Sequence, residues 1–431
     1  MSLPRLTWAA LLLLLLLAGR PIQAAEVTDV LDAFDGDDPF DFSLRLRFES
    51  ETRDSTVSRE VRCLQNDQSG TVCAGASGIV LAKELSYQRV RNVLHFDLRF
   101  GLFKDLEFRV NLPIVTGDSW NHKFVDGVGR DNSTLYPPND NDALFKVPYQ
   151  SQKRSGFGDM KLGLAWAPFN WYRDDTHPTW LVGIDYTLAT GTPMKATNTD
   201  VGQGASELTF HTTISRRALK MLEPYFNLHF VGRFGSDSGL FISHGETQKY
   251  VAPGSTIGTQ VGLAVLPWEN AKRDERVEIE GGLGSDYTFR GREYTEIWEA
   301  MASPDNPCKE KCNQILHSNS VPDANGKQRR TDGITEVEQY ARFHGWLGLH
   351  YQPVKYFEIS AKVNWMQETP HFLTDAYVGK DLDGNKGVTA TGQKGNEYNL
   401  TFLPSVDTPG SRLRVQDAGS FGFHVAISGK L

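Results

Sequence analysis

Most of the chain follows one pattern: about ten residues of strictly alternating apolar and polar side chains, then a turn. Phe42, Leu44, Leu46 and Phe48 alternate with Ser43, Arg45, Arg47 and Glu49. A strand sends successive side chains to opposite faces, so such a segment has one greasy face and one charged face. Leu94, Phe96, Leu98, Phe100 and Leu102 repeat this against His95, Asp97 and Arg99. After Lys104-Asp105, Leu106, Phe108, Val110, Leu112 and Ile114 alternate with Glu107, Arg109 and Asn111. The period of two excludes helix, and the pair reads as a tight hairpin.

Nine further segments read the same way. They centre on Met160–Trp166, Trp180–Leu188, Leu208–Ile214, Phe226–Phe230, Ile257–Val265, Val277–Leu283, Phe343–Tyr351, Phe357–Trp365 and Phe421–Leu431. That gives about twelve strands, with fourteen the nearest even alternative, and an even count leaves both ends of the barrel chain on one side. The links alternate in length. Those at Lys104, Pro168, Leu219, Pro267 and Pro353 are short; those near 51–90, 116–155, 190–205, 235–255, 288–337 and 367–417 are mostly long and polar. Short turns at one end and long loops at the other are the form expected of an all-β, transmembrane, antiparallel up-and-down barrel with long extracellular loops.

A soluble barrel also alternates, so orientation has to be argued. Charges of both signs sit in mid-strand on the polar face: Arg45, Arg47, Asp97, Arg99, Glu107, Arg109, Asp185, Glu278, Glu280 and Lys362. Gly163, Gly183 and Gly262 share that face, as suits a wall that must accommodate protruding groups. Aromatics such as Phe103, Trp166, Trp180, Tyr287, Tyr351 and Trp365 collect at strand ends, like an interfacial girdle. About twelve strands also enclose more space than their own side chains fill. All four point to an apolar exterior and a polar lumen. The mean hydropathy of −0.39 then reflects loops and lumen averaged with a lipid-facing belt.

Residues 1–24 read as a signal peptide. Arg5 precedes an apolar stretch from Leu6 to Ala18, about 13 residues where a bilayer span needs roughly 20. Ile22-Gln23-Ala24 offers the cleavage site, so the chain is expected to be exported and cut near Ala24. Its removal takes out Arg5 and Arg20 and no acid, moving the net charge from −8 to −10. That acidity argues against nucleic acid as a partner. Residues 25–41 form an acidic lead-in, and 42–431 the barrel.

The four cysteines suit an oxidising compartment. Cys63 with Cys73 and Cys308 with Cys312 are the expected local disulfides, pinning long loops. A four-thiolate metal site is disfavoured because neither spacing is C-x-x-C.

Three segments resemble the family of outer-membrane channels named for the MetA pathway of phenol degradation, which also includes a channel that exports functional amyloid. They are Asn92–Pro113 (NVLHFDLRFGLFKDLEFRVNLP), Gly156–Trp166 (GFGDMKLGLAW) and Leu181–Pro193 (LVGIDYTLATGTP). The resemblance lies in the first half of the chain. It implies a barrel of about twelve strands and a transport role, and it brings no catalytic residues. The final residue departs from the usual terminal aromatic, being Leu431. The cysteine-bearing stretches look like additions to the family pattern.

Chemistry-bearing motifs are scarce. Gly235-Ser236-Asp237-Ser238-Gly239 has Asp where a nucleophile elbow has Ser, and reads as a loop tip. Asp381, Asp383 and Asn385 resemble part of a calcium loop but lack its terminal Glu. His344 and His350 share a polar strand face, where a lumenal polar ladder is favoured over a catalytic cluster. No enzyme activity, cofactor or metal is expected. The expected partners are outer-membrane lipid, small solutes, hydrophobic or aromatic ones among them, and the barrel-assembly machinery. The expected site is an arginine wall, Arg45, Arg47, Arg99 and Arg109, facing carboxylates elsewhere. The competing expectation is a structural or adhesive surface barrel with a plugged lumen.

Overall fold

The computed structural model describes residues 26–31, 33, 41–64, 72–136, 144–219, 221–238, 248–270, 273–303, 332–381, 384, 397, 399 and 401–430. Twelve antiparallel strands close into a barrel. They are β1 (Phe42–Cys63), β2 (Gly78–Phe103), β3 (Leu106–Phe124), β4 (Lys161–Phe169), β5 (Thr179–Thr187) and β6 (Ala205–Ser215), then β7 (Leu222–Ser238), β8 (Thr256–Asn270), β9 (Glu275–Thr288), β10 (Tyr340–Val354), β11 (Phe357–Glu368) and β12 (Leu413–Lys430). Each pairs with the next in sequence, and β12 returns to β1 with Phe48 opposite Val425. Closure leaves no barrel strand edge unpaired, which a bilayer requires because it offers backbone groups no water. Among the described residues no helix is long and apolar enough to cross a membrane. The strands do the crossing.

The alternation resolves as an inverted core. Leu44, Phe48, Ile184, Phe210, Leu228, Ile279, Leu349 and Phe423 are exposed on the outside, while their polar neighbours Ser43, Glu107, Glu278 and Glu280 are buried inside. Exposed aromatics frame the belt. Phe103, Trp166, Trp180 and Trp268 lie toward the short turns, and Tyr186, Tyr287, Phe289 and Phe421 toward the long loops.

Strand ends differ from the sequence expectation at the long-loop end. The link expected at 51–90 is mostly strand, because β1 continues to Cys63 and β2 starts at Gly78, paired from Ser55↔Tyr87 to Cys63↔Gly78 with one shift of register between Val57 and Ser58. A bilayer needs about 9–11 residues per tilted strand, whereas β2 has 26. Together with β3 and β12 these strands project beyond the belt as a four-stranded wall. A disulfide between Cys63 and Cys73 ties its tip. The loop tip expected at 235–239 is likewise largely strand: β7 runs to Ser238 and pairs with Gln248–Val251. Cys308, Cys312 and the segment 1–25 lie outside the described residues.

The projecting wall carries a conventional hydrophobic core. Val57, Leu85, Leu413 and Val415 from the strands pack with Leu135, Leu144 and Phe145 from the β3–β4 connection. Ile297, Ala300 and Met301, at and within α1 (Trp298–Ala302), join it, as do Leu403 and Val406 beside and within α2 (Pro404–Asp407). The long loops therefore fold inward over the barrel mouth.

Candidate functional site: the paired inner wall and its two closures

Register decides which inner-wall charges meet. Arg45 lies opposite Asp97, and Asp97 opposite Asn111, whose side-chain amide donates to it. Arg47 pairs with Glu49 at 2.9 Å and with Asp97 at 3.5 Å. Arg45 donates to Ser360 Oγ at 2.8 Å. Arg99 and Arg109 both hold Glu107, the first at 2.7 Å. Asp185 sits 3.6 Å from His211 Nε2. Glu278 pairs with Arg276, while Glu280 gathers Tyr225, Trp346, Lys362 and His350. The arginines thus do not look across an open lumen at distant carboxylates. Each of the pairs Arg47, Arg99 and Arg109 make is with a carboxylate on its own or an adjacent strand, or with the N-terminal segment.

Several rings lie flat against the wall because the neighbouring strand offers a glycine. A Cβ on Gly183 would fall 2.1 Å from His211 Nε2, and one on Gly262 would fall 2.3 Å from the Tyr225 ring. The glycines on the polar face are cradles for protruding side chains, as their positions imply. Further up the wall, Asp286 lies 3.2 Å from His229 Nε2 and 3.7 Å from His344 Nδ1. His344 and His350 therefore serve different carboxylates and form no joint cluster.

Solvent reaches the wall unevenly. At mid-height the side chains of Arg47 and Asp97 are each 24% exposed and that of Glu49 35%. Toward the short turns Glu107 is fully buried and Glu280 is 5% exposed. A hydrated middle section thus gives way to a dry lower one.

The N-terminal segment makes it dry. Residues 26–31 and Ala33 lie inside the short-turn end, where Thr28 Oγ1 and Ser215 Oγ are 2.8 Å apart. Asp29 pairs with Arg99 at 3.1 Å and lies 3.9 Å from Lys430. The Leu31 amide donates to Glu107, and Ala33 exchanges two backbone hydrogen bonds with Lys104, a turn residue with φ of 45°. Thr28, Leu31 and Ala33 are all buried.

The opposite closure is built around Arg154, which is fully buried. It pairs with Glu299, donates to the carbonyls of Lys195 and Asp200, and stacks on Trp120 and Trp298. One guanidinium thereby joins three loops. Below it, Glu296 reaches Arg53 at 2.7 Å, and His122 Nε2 donates to the Glu296 carbonyl at 2.8 Å. Burial pushes the His122 imidazole down to about 4, so it stays neutral. Sequence reading held a plugged lumen as an alternative but did not identify the residues that form this cap and the plug. An available signal was the apolar run Ile297-Trp298, Ala300-Met301, preceded by Glu296 and interrupted by Glu299, in an otherwise polar stretch.

No family model matches the chain, and no curated protein matches it. Among solved structures, an outer membrane channel from Pseudomonas putida F1 is 9% identical, aligning 90% of this chain with 95% of its own at a TM-score of 0.42. The TodX monoaromatic hydrocarbon channel is 9% identical over 95% and 92% of the two chains, TM-score 0.35. The outer membrane protease OmpT from Escherichia coli is 7% identical over 91% and 96%, TM-score 0.29. Function has to be argued from the site.

Proposed function

We propose that the protein is an outer-membrane channel that passes small solutes by passive diffusion, with the N-terminal segment as its inner gate. The observation that carries this is the hydrated, charge-lined middle section held between two polar closures. The lower closure is the thinner. It consists of a short segment held by a few hydrogen bonds and ion pairs, the type of contact that exchanges readily with water. Lining charges of both signs, already paired, leave little net field, so weak charge discrimination is expected. Passage of hydrophobic or aromatic solutes, and kinship with the channels linked to phenol degradation, belong to this proposal and rest on the sequence resemblance. Export through a cleaved signal, read from residues 1–24, and insertion by the barrel-assembly machinery belong to it as well.

The rival reading, a surface barrel with a permanent plug, draws on the buried contacts of both closures. Solute flux into proteoliposomes separates the two. Under the channel reading, neutral and singly charged solutes enter faster than into protein-free vesicles, and Asp29→Ala raises the rate several-fold. Folded, inserted protein with no flux in either form contradicts the channel and favours the plug.

A further inference from the structure

A cavity of about 170 Å³ lies under the outer cap, between the inner wall and the segment that leads into α1. A space of this size takes one aromatic ring. Its walls include Tyr87, Tyr340 and Trp298, and three arginines, Arg53, Arg89 and Arg342, also reach it. Those guanidiniums are already committed. Arg53 donates to Glu296 at 2.7 Å and to both oxygens of Glu368 at 2.8 and 2.9 Å. Arg89 forks onto Asp118 at 2.6 and 2.8 Å, and Arg342 onto Glu368 at 3.0 and 3.1 Å. An anion entering here would have to displace carboxylates that hold these arginines bidentately.

Glu293 differs. It lines the same cavity, and among the described residues its carboxylate has no hydrogen bond or ion pair. Nearby, His371 donates Nδ1–H to the Thr369 carbonyl at 2.8 Å, which leaves its Nε2 as an acceptor, and its ring stacks on Tyr340 with centroids 4.0 Å apart. Glu293 and His371 therefore offer acceptors to the cavity, set among aromatic faces.

We propose that this cavity binds a small organic cation, a primary ammonium on a flat apolar body, with Glu293 as its counter-ion. The ammonium donates to the Glu293 carboxylate and the His371 ring, and the body lies against Tyr87 and Tyr340. Burial raises the carboxyl of the empty site above its ordinary range, against the pull of Arg233 and Arg342 and with the help of Glu296 and Glu368. Binding a cation draws out the ionised form, so affinity falls as the solution is made acidic. The inference goes beyond the channel reading and does not depend on it, because occupancy is read without transport.

The test is equilibrium binding of benzylammonium to the full-length folded protein in detergent, followed by the fluorescence of Trp298 and Trp120, with benzoate and benzyl alcohol as isosteric controls. Benzylammonium should bind saturably, and Glu293→Gln should weaken it at least tenfold. Both controls should bind more weakly than that cation does to wild type. Benzoate binding as tightly as benzylammonium overturns the proposal, as does an unchanged affinity in Glu293→Gln. Should that variant fail to fold, the wild-type pH profile decides: affinity falling toward acid supports the site, and a flat profile overturns it.

Discussion

Arg99 on β2 and Arg109 on β3 stand directly opposite each other in the register, and both guanidiniums close on the buried carboxylate of Glu107. Like charges directly across a sheet repel, so the arrangement depends chiefly on the acid that both share, with Asp29 a second partner of Arg99. Its second oxygen also accepts the Leu31 amide, which couples wall and plug. Glu107→Gln leaves Arg109 without its counter-charge and Arg99 with Asp29 alone, and breaking a buried pair in this way costs about 3–5 kcal/mol. A lower urea midpoint of the barrel refolded in lipid checks this; an unchanged midpoint speaks against the coupling.

The exposed belt makes a second prediction. Ile184 on β5 faces outward between Leu164 and Phe210 on neighbouring strands. Ile184→Arg is expected to cost about 2–4 kcal/mol near mid-membrane, measured by refolding into bilayers. The same change in a water-soluble barrel would be close to neutral.

The alternation made the twelve strands legible wherever lipid fixes one face, as at Leu44 to Phe48 or Leu106 to Ile114. Above the belt that constraint ends. Val57 and Leu85 turn inward onto loops, and residues 51–63 carry polar groups on both faces, so the extended wall read as loop. The charged wall residues were legible by type and face. Their partners were not, because register sets them and a single residue of slip would exchange them. Thr28, Asp29 and Arg154 act through contacts with distant parts of the chain, and no local periodicity marks them.

Asp407 gives the outer cap a pH dependence. It accepts the Leu403 and Ala376 amides, yet burial, with Glu336 and Asp375 nearby, pushes it from 3.8 up to about 7. The folded cap thus holds the proton that the unfolded chain has lost. Its contribution to stability falls as pH rises from about 4 to about 7, by up to about 1.4 kcal/mol per pH unit, and is level above. Limited proteolysis should cut the region around α2 faster at pH 7.5 than at pH 5. Equal rates contradict the assignment.

The cysteines make a covalent prediction. Peptide mapping of the non-reduced protein should find Cys63 joined to Cys73, and we propose Cys308 joined to Cys312. Loop closure by the first contributes roughly 2–3 kcal/mol, felt in the β1–β2 tip. Cys63→Ser with Cys73→Ser should therefore speed proteolysis there while leaving refolding of the membrane belt unchanged.

The central claim is that the N-terminal segment gates a conducting lumen, and the contact between Thr28 and Ser215 allows a direct test. Thr28→Cys with Ser215→Cys places two thiols where the hydroxyls are 2.8 Å apart. Single-channel current in planar bilayers should vanish when this pair is oxidised and return on reduction. Wild type carries current under both conditions. Equal current through the locked and unlocked forms, or no current in any form including wild type, contradicts the account.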